Sequence, residues 1–304
     1  MESKSYYSHG KLMICGEYAV LSGATAFVLP TKAGQSLTVD THLDFDVPHI
    51  DWTSYDKEGN IWFQARLLLP YLIVEYSSDQ SVAIQLVRFL TNAKVLNPHF
   101  LSDNVAYKVE TRLEFDVDEG LGSSSTLTNN IAQWAGVNPF SLHFNAFKGS
   151  GFDVAAAMKG KPLVHTMNGN HPVVDVVKWQ KGFTDKLYFV HLNVKQNSRE
   201  QIATSKPVLN TAQLAQISRI SRLLTVNEDY FEFCLLLELA ENEIAQALGR
   251  NSIKHDLFPD FQGTIKSLGA WGGDYVLATG NDTVEYFTSK GYHRIVPFKD
   301  MILE

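Results

Sequence analysis

The residues best placed to do chemistry are Gly120-Leu121-Gly122-Ser123-Ser124-Ser125-Thr126. Two glycines let the backbone bend sharply and come close to a ligand, and three successive serines add hydroxyls. Upstream, Val105, Tyr107, Val109, Thr111, Leu113 and Phe115 alternate with Ala106, Lys108, Glu110, Arg112 and Glu114, which is the period of a strand. Downstream, Leu127, Ile131, Trp134 and Ala135 fall at i, i+4, i+7 and i+8, the apolar stripe of a helix. A glycine-rich turn from a strand into a helix start offers backbone N–H groups and the positive end of the helix dipole to an anion. The same residues also read as an ordinary N-cap built from Ser and Thr. A P-loop ending in Gly-Lys-Ser/Thr is absent from the sequence, so any phosphate bound here is held by another arrangement.

The chain that must position this turn has 304 residues, 45% of them hydrophobic, enough for a large core and two domains. A net charge of −7 leaves no basic stripe for nucleic acid or an acidic membrane surface, although one or two lysines and backbone amides suffice for a small anion. Cys15 and Cys234 are far apart and suggest neither a disulfide framework nor a metal knuckle. No apolar run is long enough to span a membrane, and Met1 to Gly10 is polar, so the expectation is a soluble cytoplasmic protein, monomer or homodimer, acting on a small molecule.

Taken in order, Leu12-Met13-Ile14-Cys15 reads as a short apolar strand left through Gly16-Glu17. Gln35 to Val39 and His42 to Val47 alternate like the strands of a hairpin, and a second hairpin runs from Ile50 to Leu67 around Asp56-Lys57-Glu58-Gly59-Asn60. Val82, Leu86, Phe89 and Leu90 mark a helix that stops near Asn97-Pro98. After the central turn comes a second one, Gly149-Ser150-Gly151-Phe152-Asp153. Val173 to Val177 and Leu187 to Leu192 read as strands, and Gln213 to Leu224 and Glu228 to Leu248 as helices, the last closed by Gly249. A third glycine-rich turn, Gly269-Ala270-Trp271-Gly272-Gly273-Asp274, leads into the strand Tyr275 to Ala278, and a helix and a last strand, Arg294 to Phe298, follow. Strands and helices mix without regular βα alternation, which predicts an α+β fold, divided near residue 180 into domains 1–180 and 181–304.

Four pieces in one order resemble the GHMP kinase superfamily, which includes galactokinase, homoserine kinase, mevalonate kinase and phosphomevalonate kinase. They are Gly10-Lys11-Leu12-Met13-Ile14-Cys15-Gly16-Glu17-Tyr18, Gly120-Leu121-Gly122-Ser123-Ser124-Ser125, Gly149-Ser150-Gly151-Phe152-Asp153, and Leu268-Gly269-Ala270-Trp271-Gly272-Gly273-Asp274. Within the superfamily, Gly151-Phe152-Asp153-Val154-Ala155 is similar to the motif of a bacterial mevalonate-kinase-like subgroup named for Gly-Tyr-Asp-Ile-Ala. The resemblance implies a two-domain fold, with an N-terminal domain like ribosomal S5 domain 2 and a ferredoxin-like C-terminal domain. It also implies ATP and Mg²⁺ as cofactors and transfer of a phosphoryl group to a small acid such as mevalonate or phosphomevalonate.

By the same resemblance, Gly120, Leu121, Gly122, Ser123, Ser124 and Ser125 hold the triphosphate, with Ser124 also on Mg²⁺. Asp153 matches the catalytic aspartate that orients or deprotonates the acceptor hydroxyl. Lys11 matches the lysine that lowers the hydroxyl's pKa and holds the aspartate ionised. Glu17, Ser198, Arg199, Gly272 and Gly273 fall on the substrate side, Glu17 pairing with Lys11 and Arg199 suited to a carboxylate or phosphate. Each has a plainer reading: Asp153 as an N-cap, Glu17 as a surface carboxylate in a turn, Ser198 and Arg199 as a solvated loop.

Two departures from the pattern bear on function. Mevalonate-kinase relatives carry an Mg²⁺-binding glutamate on the helix before the Asp153 motif, whereas Thr126 to Phe152 holds no Asp or Glu. The metal would then fall to Asp153, to Ser124 with waters, or to Asp118 or Glu119. Trp271 stands where relatives usually have glycine, either reshaping the site or plugging the core. An alternative to the kinase is therefore a non-catalytic ligand-sensing protein on the same fold, but retention of both Lys11 and Asp153 favours the enzyme.

Overall fold

A computed structural model describes residues 3–43, 46–102, 104–117, 119–193, 207–269, 271 and 274–304. The fold is α+β. The chain forms two compact units, each built from several segments: residues 1–10, 33–117 and 122–158 in the first, and 11–32, 118–121 and 159–304 in the second. Residue 180 lies within the second.

In the first unit a mixed sheet runs in the order β5 (Ile73–Ser77), β4 (Ile61–Leu68), β3 (His49–Tyr55), β6 (Ala106–Leu113) and the second half of β2 (Ala26–His42). Strand β3 lies parallel to β6, with Trp52 opposite Val109, while β2 is antiparallel to β6, with Leu37 opposite Thr111. Helices α1 (Gln80–Leu96), α2 (Ser123–Ala135) and α3 (Pro139–Ala146) share a core with this sheet. Leu37, Val39, Ile50, Trp52 and Phe63 supply its sheet side, and Leu86, Phe89, Leu90, Ile131 and Leu142 its helix side. Asp79 caps α1 by accepting from the amides of Ser81 and Val82.

In the second unit, the first half of β2 pairs with β7 (Leu163–Asn168), which pairs with β8 (His171–Val176). A separate antiparallel sheet has the order β10 (Ile265–Leu268), β11 (Tyr275–Thr279), β9 (Leu187–His191), β12 (Ile295–Pro297). The long helices of this unit are α5 (Thr211–Val226), which begins with a capping box from Asn210 and Gln213, and α6 (Tyr230–Leu248), which ends on Gly249 in the left-handed region at φ 63°. Phe233, Leu237, Ala240 and Ile244 of α6 are buried, and the Trp179 ring sits beside Phe27, Phe233 and Phe298. No helix among the described residues is long and apolar enough to cross a membrane.

Two element expectations change, and one helix was not expected. The segment from Gln35 to Val39 is not one arm of a hairpin, because β2 runs on unbroken to His42 and pairs with β6 in one register from Gln35 to His42. No glycine or proline interrupts 35–42, so nothing there forces a turn. Leu12 to Cys15 is the end of a 13-residue strand, β1 (Ser3–Cys15), whose more polar first half is mostly exposed or half-buried. Helix α3 was signalled by Asn138-Pro139, since Asn is the N-cap and proline fits the first helical position.

Candidate active site

The central turn is held from its upstream side. Lys11 Nζ donates to the Gly120 carbonyl at 2.7 Å, and the Lys11 amide donates to the Leu121 carbonyl at 2.9 Å. Gly120 has φ 65°, and a Cβ there would run into the Asp274 carboxylate. Gly120→Ala should therefore combine left-handed strain with a displaced carboxylate and lower stability by about 1–3 kcal/mol. Urea unfolding checks this, and a midpoint equal to wild type would contradict the close packing of Asp274 on Gly120.

Helix α2 starts without a side-chain cap among the described residues. Its N-cap is Gly122, at φ 95°. The reading of these residues as a Ser/Thr N-cap is thus set aside: the serines lie inside the helix. Ser125 Oγ turns back to the Gly122 carbonyl at 2.8 Å, and Thr126 Oγ1 donates to Gln35 Oε1 at 2.7 Å. Ser123 and Ser124 are half-buried in the first turn, which contains no acidic residue. First-turn amides, a positive dipole end and no competing carboxylate on the helix suit an anion.

Asp153 lies in the first turn of α4 (Phe152–Lys159), half-buried, with Oδ1 accepting from the Val154 amide at 2.9 Å. The helix begins one residue earlier, and the Gly151 carbonyl accepts from the Ala155 amide, so Asp153 is not the N-cap. Gly151 sits at φ 73°, and a Cβ there would touch the Phe140 and Phe144 rings at 3.3–3.4 Å. Helices α2 and α4 are tied through Asn129, whose Nδ2 donates to the Ala157 carbonyl and to Ser8 Oγ at 3.2 and 2.8 Å. Ser8 Oγ donates onward to Asn130 Oδ1 at 2.6 Å. The first unit therefore carries the start of α2 and Asp153 on two helices joined by buried hydrogen bonds.

Glu17 is not paired with Lys11. Its Oε1 accepts from Lys266 Nζ at 2.6 Å, and Glu241 Oε2 lies 3.4 Å from the same ammonium. All three side chains are buried, Glu17 at 5% exposure and Lys266 at 0%, so the reading of Glu17 as a surface carboxylate also fails. The two facing carboxylates hold the Lys266 ammonium charged, while burial pushes the Glu17 carboxyl above its usual range. Glu17 Oε2 has no hydrogen-bond partner among the described residues. Glu119 accepts from Arg294 Nη1 at 2.5 Å, which commits a carboxylate considered for the metal. Trp271 is 5% exposed, and its amide donates to the Tyr18 hydroxyl at 3.1 Å, which places the indole in the core beside the turn. Ser198, Arg199, Gly272, Gly273 and Asp118 lie outside the described residues.

Lys266, Glu241, Asp274 and Arg294 were missed as candidates. A lone lysine in Ile265-Lys266-Ser267-Leu268 reads as an exposed strand position, and only the fold brings two glutamates from distant segments to it. Among the described residues no group of three His, Cys, Asp or Glu side chains could hold a metal ion.

No protein-family model matches the sequence, and no curated protein matches it significantly. Solved structures do. The mevalonate kinase of Methanococcus jannaschii aligns over 97% of each chain with a TM-score of 0.67 and 14% identity. Streptococcus pneumoniae phosphomevalonate kinase, in complex with phosphomevalonate and AMPPNP, aligns over 94% of this chain and 95% of that one, at 0.66 and 14%. Lactococcus lactis galactokinase, complexed with galactose, aligns over 95% and 88%, at 0.65 and 14%. By architecture over nearly its whole length, the chain has the GHMP kinase fold.

Proposed function

We propose that this chain is an ATP-dependent phosphotransferase acting on a small hydroxylated or phosphorylated acid, with mevalonate and phosphomevalonate the first acceptors to test. The observation that carries the reading is the start of α2: Gly122 as N-cap, no side-chain cap among the described residues, no acid in the first turn, and Lys11 fixed on the adjacent Gly120. Phosphoryl transfer asks little covalent chemistry of a protein; it asks for cradled phosphates, neutralised charge and an aligned acceptor. The amides of Ser123 and Ser124 would cradle the triphosphate of ATP, and Gly122 lets the backbone come close. Lys11 adds a positive charge beside that turn. Asp153 would orient the acceptor hydroxyl and take its proton.

Mg²⁺, when bound, supplies neutralisation of the phosphate charge. Ser124 is the protein group proposed to meet it. With no three-residue metal cluster among the described residues and Glu119 engaged by Arg294, the residues present fit an ion that arrives with the nucleotide and keeps most of its contacts to phosphate and water.

ADP release measured with Mg²⁺ across a panel of acceptors tests the activity. Turnover on one of them supports the enzyme; nucleotide binding without turnover on any would favour the ligand-sensing alternative. Gly122→Val tests the turn itself. A β-branched side chain at φ 95° both strains the cap and blocks close approach, so ATP affinity should fall by at least about tenfold. Unchanged affinity in the folded variant would remove α2 from the nucleotide site.

A further inference from the structure

The corner that ends β1 is conformationally costly. Gly16 has φ 110° and Tyr18, a bulky residue, has φ 56° and ψ −45°, so Glu17 sits between two residues of positive φ. Glycine is required at 16, because a Cβ there would lie 2.7 Å from the Ala26 Cα and Cβ atoms. A tyrosine stays at positive φ only where its surroundings impose it, and such strain collects where geometry matters.

What imposes it here is a chain of buried hydrogen bonds leading to one place. Glu17 Oε1 takes a bond from Lys266 on β10, the strand that runs directly into Gly269. Lys266 Nζ also donates to the Ser267 carbonyl at 2.5 Å. The Ser267 amide and hydroxyl both donate to Glu241 Oε2, at 3.0 and 2.7 Å. The next residue of the corner, Tyr18, accepts the Trp271 amide on its hydroxyl. Consecutive residues thus hold the strand that leads into Gly269 and the Trp271 amide beyond it. Earlier on the same strand, Lys11 holds Gly120 and Leu121 through a side-chain and a backbone bond.

We infer that Glu17 and Tyr18 are positioning residues for strand β10 and for Trp271. With Lys11, they make the corner at the end of β1 the place that sets β10, Trp271 and residues 120–121 relative to one another within the second unit. The inference rests on the kinase reading only for its kinetic consequence; the bracket itself is a statement about Trp271. In this role Glu17 acts through Lys266.

Tyr18→Phe removes the hydroxyl that receives the Trp271 amide and keeps the ring. In protein labelled with ¹⁵N-tryptophan, the Trp271 backbone amide should exchange about tenfold faster, the size of one net hydrogen bond, with the other four tryptophan amides unmoved. On an acceptor that turns over, kcat should fall while the KM for ATP stays within about twofold, a split that an interaction made only in the transition state produces. Glu17→Gln, which keeps a hydrogen-bond acceptor for Lys266 but loses the charge, should move both readouts the same way by less and serves if Tyr18→Phe does not fold. Unchanged Trp271 exchange in a folded variant overturns the bracket. Faster exchange with wild-type kcat overturns the positioning role and leaves packing alone. If the wild-type protein transfers no phosphoryl group to any acceptor, the kinase reading fails separately, and exchange at Trp271 still decides the bracket.

Discussion

Asp153→Asn is expected to lower kcat by about 10²–10⁴-fold, the usual contribution of a positioned general base, while ATP affinity changes little. The substitution keeps the shape of the side chain and one oxygen able to accept from the Val154 amide, so α4 should start where it does now. What it removes is the charge and the basicity. Lys11→Met should cost kcat as well, because it takes positive charge away from the turn at Gly120. The two losses should be less than additive if both groups serve one transition state, since groups that act as a unit fail together. Steady-state kinetics of the two single variants and the double variant, on an acceptor confirmed for the wild type, measure this. Wild-type turnover in Asp153→Asn would leave Asp153 as a helix-start residue with no part in the chemistry. Its place in the first turn, not at the N-cap, already weakens the purely structural reading, because the cap position falls to Gly151.

How much of this was legible beforehand differs between local and non-local features. Helix α2 could be placed from Leu127, Ile131 and Trp134, and the turn before it from its glycines, because 3.6-residue periodicity and left-handed φ values are local properties. The α+β class followed from irregular mixing of elements and holds. The hairpin expected at 35–47 failed because alternation fixes which face a residue occupies, not where a strand stops; β2 stops at His42, where its pairing with β6 ends. The site divides the same way. Lys11 at Gly120 was reachable only as a partner of the motif it precedes, whereas the partner of Glu17 lies 249 residues away and is named by no local pattern. A buried lysine in a four-residue strand carries no signal of its own until two carboxylates are folded around it.

That buried lysine gives the largest expected effect on stability. Lys266→Met should cost about 3–5 kcal/mol, because it removes the one ammonium facing Glu17 and Glu241 and leaves two desolvated carboxylates without a counter-charge. Against a typical total of about 5–15 kcal/mol this is a large fraction of the stability of a domain. The cost comes from the carboxylates left behind rather than from the pair itself, so Lys266→Met combined with Glu17→Gln should recover part of it. Lys108→Met is the matching control: its partner Glu110 is 2.8 Å away, but the Lys108 side chain is 53% exposed, and loss of that pair should cost less than about 1 kcal/mol. The loss in Lys266→Met should also depend on pH. Without the ammonium, burial holds the folded-state pKa of the Glu17 carboxyl above the unfolded value of about 4.5, so the folded state binds more protons than the unfolded chain above that pH. Stability of the variant should accordingly fall as pH rises through and beyond 4.5, and recover on acidification. Urea midpoints for the three variants at two pH values give every one of these quantities. A Lys266→Met protein as stable at neutral pH as wild type would mean that Glu17 is already neutral in the native fold, and that the bond from Lys266 holds strand β10 without an ion pair to it.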